Sequence, residues 1–412
     1  TQLRTTSGED GAFVLRDVPA GIQRLRVSRI GYRLQEPEVT VAPGATVTLE
    51  IALQSQAALL QAVVVTGYGE QQARDVTGAV QRVGAEEFNR GSIVSPDQLL
   101  AGKVAGVQIT PNTGEPGGQS FIRIRGGTSI NASNEPLFVI DGVPIDNAPH
   151  SPGAFSAGRN PLNFINPKDI ESVTVLRDAS ASAIYGARGA NGVIIITTKG
   201  ADRGAPGRVT YETWMSVAQS TTDVDVLNAA EFRQAVTDQA PTRLSLLGTA
   251  TTDWQGLVRQ TGIGRNHAVS FTGASENVAY RAAVGYLDQE GIIRASGTSR
   301  TSLTFNYTHH LLDDQLRVRA NVKAAQTNDR FAPGGTVSNA VSFAPTQPVM
   351  DPGSAWAGYW EWTENLGTKN PVAEYELMED VGTSLRAIGN LDLEYDVPSV
   401  SGLRARLNLG FD

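Results

Sequence analysis

The sequence contains no cysteine, which removes disulfides, thiolate metal sites and a cysteine nucleophile at once. That absence permits an oxidising envelope compartment without establishing one. No stretch approaches the roughly 18 consecutive apolar residues that a membrane-spanning helix needs, so a helical membrane protein is excluded. Charge is scarce as well: 18% of residues are charged, the net charge is -8, and the 34 Lys and Arg form no long basic run. A nucleic-acid partner needs a clustered basic surface and is not expected. No leader-like segment opens the chain, and Thr1 starts in what reads as mid-strand, so the true start is expected upstream.

Enzyme signatures are missing in the same way. There is no G-x-S-x-G, no HExxH and no Cys-His combination. Gly186, Gly189 and Gly192 in "GARGANG" follow a helical pattern and lead into a strand. That is the reverse of the strand-loop-helix order that aims backbone amides at phosphate. His309 and His310 sit on opposite faces of a strand and do not converge on one metal. Asp141 and Asp146 form no convincing carboxylate pair, because Asp141 is accounted for by a turn. The expectation is a non-enzyme with no catalytic residue, no metal site and no cofactor.

What is present is strand. At 412 residues the chain has room for two to four domains. Residues 1–54 alternate at period two, with Phe13 and Leu15, Val39 and Val41, then Val47, Leu49, Ile51 and Leu53, punctuated by Gly and Pro. Short strands so punctuated predict a small β-sandwich. Residues 55–72 read as a linker that carries "VVVTGYGEQQ". Three β-branched residues favour a strand, yet Gly67 ends the run almost at once. Either a short edge strand or an exposed strand awaiting a partner chain fits Val63, Val64, Val65, Thr66 and Gly67.

Residues 73–200 read as a mixed α/β block. Ser95-Pro96-Asp97 is a helix start, with a capping serine, a first-turn proline and an acid favoured by the helix dipole. "PLFVIDGVPI" is a hairpin turning at Asp141-Gly142, and Pro144 marks its return strand as an edge. Strand, Asp178 cap, a helical turn closed by Gly186 and a buried strand from Val193 to Thr198 follow.

From residue 201 to 412 the texture changes to repeated alternation, in about seven segments near the ~9 to 11 residues of a tilted strand crossing a bilayer. Val209, Tyr211, Thr213, Met215 and Val217 share a face, as do Val278, Tyr280, Ala282, Val284 and Tyr286. In "LRVRANVKAA" Leu316, Val318, Ala320 and Val322 oppose Arg317, Arg319, Asn321 and Lys323. Charge confined to one side favours an outer-membrane barrel, oily outside and wet inside, over a soluble sandwich. Tyr280 and Tyr286, at opposite ends of one oily face, suit the two aromatic girdles.

"LLAGKVAGVQIT", "SFIRIRGGTSINASNEPLFVIDGVPID" and "INPKDIESVTVLRDASASAIYGARGANGVIIITTKG" resemble, in order and spacing, the plug signatures of SusC/RagA-type TonB-dependent outer-membrane transporters. Residues 1–54 are similar to the carboxypeptidase regulatory-like sandwich of that family, lacking its first strand. "AVVVTGYGEQ" resembles its Ton box. "TDWQ", "VGYLDQEGII" and "NPVAEYELMEDVG" resemble early barrel strands and loops.

The resemblance implies a mainly β protein, with a sandwich, an α/β plug and part of a transmembrane antiparallel barrel of about 22 strands. It implies active import of a glycan or peptide nutrient across the outer membrane, with the sandwich and Ton box periplasmic. Implied partners are TonB with ExbB/ExbD energy supply, a SusD-like surface lipoprotein and outer-membrane lipid. Val63 to Gly67 would meet TonB through main-chain bonds. Arg123 and Arg125, alternating with Ile122 and Ile124, are expected to contact the barrel wall, as are Arg177 and Arg188. Twenty-two strands need roughly 220 residues before loops, and 212 follow Gly200, so the chain is expected to be a fragment. An adhesion protein of β-sandwich modules and a signal-transducing receptor of the same family are the alternatives.

Overall fold

The computed structural model describes residues 5, 7–8, 11–27, 35, 37–51, 63–66, 69–72, 80–127, 133–146, 158–178, 182–363, 367–400 and 402–412, with backbone alone at 63–66 and 69–72. Two compact units result, residues 1–64 with 70–75, and residues 65–69 with 76–412. In the first, β1 (Gly21–Arg24) and β2 (Glu38–Val41) pair antiparallel, with Arg24 opposite Glu38. The alternation expected at Phe13 and Leu15 and from Val47 to Ile51 forms no ladder among the described residues. Val47 and Leu49 are exposed. Leu53 lies outside the described residues. Two short strands, β3 (Val63–Thr66) and β4 (Gly69–Gln72), pair as a separate two-stranded sheet.

Residues 80–198 build a five-stranded sheet around one dominant strand. After β5 (Val80–Gly84), β6 (Val107–Pro111) and β7 (Ser120–Ile124) come β8 (Leu137–Ile140), β9 (Val143–Pro144), β10 (Ile170–Leu176) and β11 (Val193–Thr198). Their order is β5-β10-β11-β8-β9, while β6 and β7 form a separate hairpin. The run Val193–Ile196 is at most 1% exposed because both faces of β11 are covered. Ile194 and Ile196 enter one hydrophobic cluster, Val193 and Ile195 another. β11 pairs parallel with β8, the arrangement in which strands read as continuous apolar runs. Pro144 lies on the edge strand β9, as its missing N–H requires. The expected helices shrink to 3-10 turns, Pro96–Leu99 and Ala183–Gly189, the second kinked at Gly186. Gly192 has φ +90, and a Cβ there would meet the Leu176 carbonyl oxygen at 2.9 Å.

The remaining strands form one seven-stranded antiparallel sheet in sequential order, here called the wall. They are β12 (Arg208–Ala218), β13 (Gly262–Ala274), β14 (Val278–Glu290), β15 (Gly297–Leu311), β16 (Leu316–Phe331), β17 (Asp380–Asp396) and β18 (Arg404–Phe411). Most exceed the expected length; β17 has 17 residues. Register aligns Val209, Phe271, Ala282, Phe305, Val322, Gly389 and Phe411 into one row. Most of that row is exposed and apolar. The opposite face carries Arg281, Asn306, Asn321 and Asn390 as another row. Tyr280 and Tyr286 both lie on the apolar face, and Tyr280 covers Gly273 with its ring.

Residues 275–277, 312–315 and 397–403 make short turns at one end of the wall; at the other end residues 219–261 and 332–379 make long loops and residues 291–296 a short one. The loops hold helices that periodicity did not suggest: α1 (Ala229–Gln239), α2 (Trp254–Val258), α3 (Thr336–Ser342) and α4 (Pro371–Leu377). Trp254, Val258, Ala340, Phe343 and Val372 give this layer a small core of its own. Asn228 caps α1 by accepting from Ala230 N and Glu231 N, and Glu231 returns a bond to Asn228 N at 3.0 Å.

Candidate functional site: the plug and wall interface

The charged face of the wall does not simply meet water; it grips the five-stranded domain. Apolar packing comes first, because Ala325 and Ile388 of the wall join the same buried cluster as Phe138, Ile140, Ile194 and Ile196. Polar clamps then surround that contact, at the ends of β8, β10 and β11 that lie side by side.

Asp169 holds one of them. Pro167–Asp169 forms a 3-10 turn capped by Asn166, whose Oδ1 accepts from Lys168 N at 3.1 Å. The turn presents the Asp169 carboxylate to Arg281 Nη2 at 2.6 Å and Thr304 Oγ1 at 3.0 Å on the wall. Both charged side chains are more than nine-tenths buried. Removing either partner would leave a desolvated charge, a loss of ~3–5 kcal/mol.

Asp141 does more than turn the chain, which corrects the expectation that its turn accounts for it. Its φ of 46 and the φ of 90 at Gly142 fit the tight hairpin between β8 and β9. That left-handed geometry also aims the carboxylate. It accepts from Thr198 N at 2.9 Å and Thr198 Oγ1 at 2.7 Å, and it pairs with Lys323 Nζ of the wall. Asn390 donates to the Asp141 carbonyl at 3.1 Å. Lys323, in the strand that alternates oil with cation, therefore faces the plug, while Arg317 pairs with Glu394 and Arg319 with Asp392 inside the wall.

Three further wall side chains hold backbone carbonyls. Arg300, 3% exposed, donates from Nη1 to Val94 O at 3.0 Å and Asn163 O at 2.9 Å. Asn306 reaches Lys199 O at 2.6 Å. Arg386 donates to Pro161 O at 3.1 Å and Asp146 O at 2.9 Å while stacking over Phe164. On the side of the long loops, Arg159 pairs with Asp329 and Ala332 N donates to Glu115. Burial pushes the Glu115 carboxyl above its ordinary range, opposed by that N–H.

Of the four arginines expected at this interface, Arg125 and Arg177 make their described contacts within the plug. Arg125 pairs with Asp178 at 2.5 Å, and Arg177 Nη1 donates to Ala105 O at 2.6 Å. Arg123 is exposed opposite Gln108, and Arg188 is exposed beyond the kink at Gly186. Ile122 and Ile124 are buried on the other face of the same strand. Among the residues that sequence reasoning missed are Asp169, Arg281, Arg300, Asn306, Arg386 and Asn390. Arg281 carries a signal that was there to be read: it is the one charge in an inward row of Ala279, Ala283 and Gly285.

The backbone at Val63–Thr66 is a strand, paired with β4 rather than standing alone, and Gly67 lies outside the described residues. His309 bonds Tyr307 OH at 3.1 Å and His310 pairs with Asp314, so the two diverge. No cluster of three or more potential metal ligands occurs among the described residues.

Comparison with known proteins decides what this arrangement belongs to. The TonB-dependent receptor plug domain family matches residues 72–193, and the carboxypeptidase regulatory-like domain family matches residues 1–54. The TonB-dependent receptor SusC of Bacteroides thetaiotaomicron is 36% identical over all of this chain and 42% of its own length. The chain belongs to the SusC/RagA-type TonB-dependent receptors. TonB-dependent receptor P26 of Formosa agariphila is 33% identical over 99% of the chain and 40% of that protein. The RagAB peptide importer in its open-open state aligns with a TM-score of 0.67 at 24% identity, over 84% of this chain and 42% of that one. The chain spans about two fifths of the length of these relatives. The five-stranded domain is thus a plug, the seven strands are part of an outer-membrane barrel wall, and no catalytic family is indicated.

Proposed function

We propose that the receptor to which this chain belongs actively imports a nutrient of the oligosaccharide or peptide class across the outer membrane, with the plug gating the barrel. The observation that carries this reading is a plug clamped to the polar face of a wall whose other face is apolar. Such a plug closes the lumen until the clamps on Asp141 and Asp169 are released. The work of release reaches the plug through Val63 to Gly67, gripped by TonB with ExbB/ExbD as the energy supply. An extended segment gives main-chain bonds to a partner strand whatever its side chains are. A SusD-like lipoprotein covers the long-loop end, and the N-terminal domain and short turns face the periplasm. Arg123, Arg125, Arg177 and Arg188 remain candidates for carboxylates on other parts of the wall. Adhesion alone would leave the plug match at 72–193 without a role.

The test is uptake of a labelled oligosaccharide and a labelled peptide by cells with and without the complete receptor. Receptor-dependent accumulation of one of them is expected. Accumulation of neither, with the receptor present at the surface, would overturn the import reading.

A further inference from the structure

The connector between plug and wall, residues 199–207, is tied down along its length. At its start Lys199 N donates to Asp169 O at 2.8 Å, and Lys199 O accepts from Asn306 of the wall. Further on, Gly204 N donates to Ser275 O at 3.1 Å in the turn between β13 and β14. Arg203 then joins two neighbouring turns. Its Nε donates to Glu276 O, its Nη2 reaches Asn277 Oδ1 at 3.4 Å, and its Nη1 reaches both Asp314 oxygens at 2.8 and 3.0 Å. The first turn is also tied to the end of β15 that leads into the second, because His310 N donates to Asn277 O at 2.8 Å.

The turn that supplies Asp314 has an unusual backbone. Leu312, Asp313 and Asp314 have φ values of 53, 52 and 67, three successive left-handed residues without a glycine. Each such conformation costs of the order of 1 kcal/mol or more, and it persists where surrounding contacts impose it. Here it turns the Asp314 carboxylate toward Arg203 and His310. An exposed ion pair alone contributes little. This guanidinium instead gathers a carboxylate, an amide oxygen and a main-chain carbonyl from two turns, so its effect is geometric.

We infer that Arg203 is a positioning residue which makes the connector the fixed end of the plug during gating. The inference rests on the import reading above. Load enters the plug at its other side, where β5 is an edge strand held by five residue pairs to β10. With residues 199–207 immobile, the plug loosens from β5 and from the clamps on Asp141 and Asp169, and its last strand returns to the same register when the load ends.

The test uses the complete receptor carrying R203C and D314C, joined by a reducible thiol-to-thiol cross-linker; this chain contributes no other cysteine. D141C with K323C, joined in the same way, is the comparison. Uptake by the linked 203–314 receptor is expected to stay within about twofold of wild type, while the linked 141–323 receptor loses at least about tenfold and recovers on reduction. Loss of uptake on linking 203 to 314, restored by reduction, would show that the connector moves and overturn the inference. Arg203→Ala supplies the second arm: slower uptake at unchanged surface level and substrate binding is expected, and unchanged uptake contradicts the role. Both arms are read on a receptor whose uptake stops when residues 63–69 are deleted. Uptake that survives the deletion would sink coupling through Val63 to Gly67 instead, and uptake of neither substrate by the undeleted receptor would sink the import reading.

Discussion

At the scale of the residue, the interface works by enclosing a few charges completely. Lys323 and Asp141 have side chains 5% and 12% exposed, so each needs the other. Asp141→Ala is expected to cost ~3–5 kcal/mol in equilibrium unfolding, whereas the double variant with Lys323→Met costs markedly less because no lone charge stays buried. Equal losses in the two variants would mean that the pair contributes nothing specific. Asp314 gives a pH signature at the exposed turn. The hydrogen bond from Arg203 holds its carboxyl below the ordinary range, with His310 adding to the effect. A carboxylate with a depressed folded-state pKa contributes stability above its unfolded value and loses it as pH falls through the folded value. The difference in stability between wild type and Asp314→Asn should therefore persist to the foot of the ordinary carboxylate range and vanish only below it, a trend that titration by thermal unfolding would follow.

At the scale of the element, the wall strands separate two solvents by period two. Phe305 lies on the apolar face, 39% exposed, and Asn321 lies on the polar face one strand away. Phe305→Arg is expected to destabilise the folded wall in lipid vesicles by ~2–4 kcal/mol, and Asn321→Ser by far less. Comparable losses would mean that the apolar face does not meet lipid. This part of the fold was legible from sequence because strand alternation needs only the nearest neighbours. The buried strand β11 and the Asp141-Gly142 turn were legible for the same reason. The clamps were not. Arg281 and Asp169 are 112 positions apart, and nothing local distinguishes Asp169 from any acid that opens a short turn. Arg123 and Arg125 show the limit from the opposite direction: their alternation with Ile122 and Ile124 was read correctly as one buried and one polar face, but alternation does not say which group a polar face meets, and Arg125 pairs with Asp178 of the plug. Helices α2, α3 and α4 escaped because each is short and packs on aromatic residues scattered along the two long loops.

At the scale of the whole molecule, the plug lies against seven sequential wall strands and is fastened at the ends of β8, β10 and β11, while β5 forms an edge of the plug sheet. On this account substrate binding and the work of import use different parts of the chain. Binding needs the loops and the closed plug, and import needs Val63 to Gly67 as well. The most direct measurement compares surface binding and uptake of the same labelled substrate by cells bearing the complete receptor with and without residues 63–69. The account predicts unchanged binding with uptake reduced to the level of receptor-free cells, and uptake that survives the deletion would contradict it.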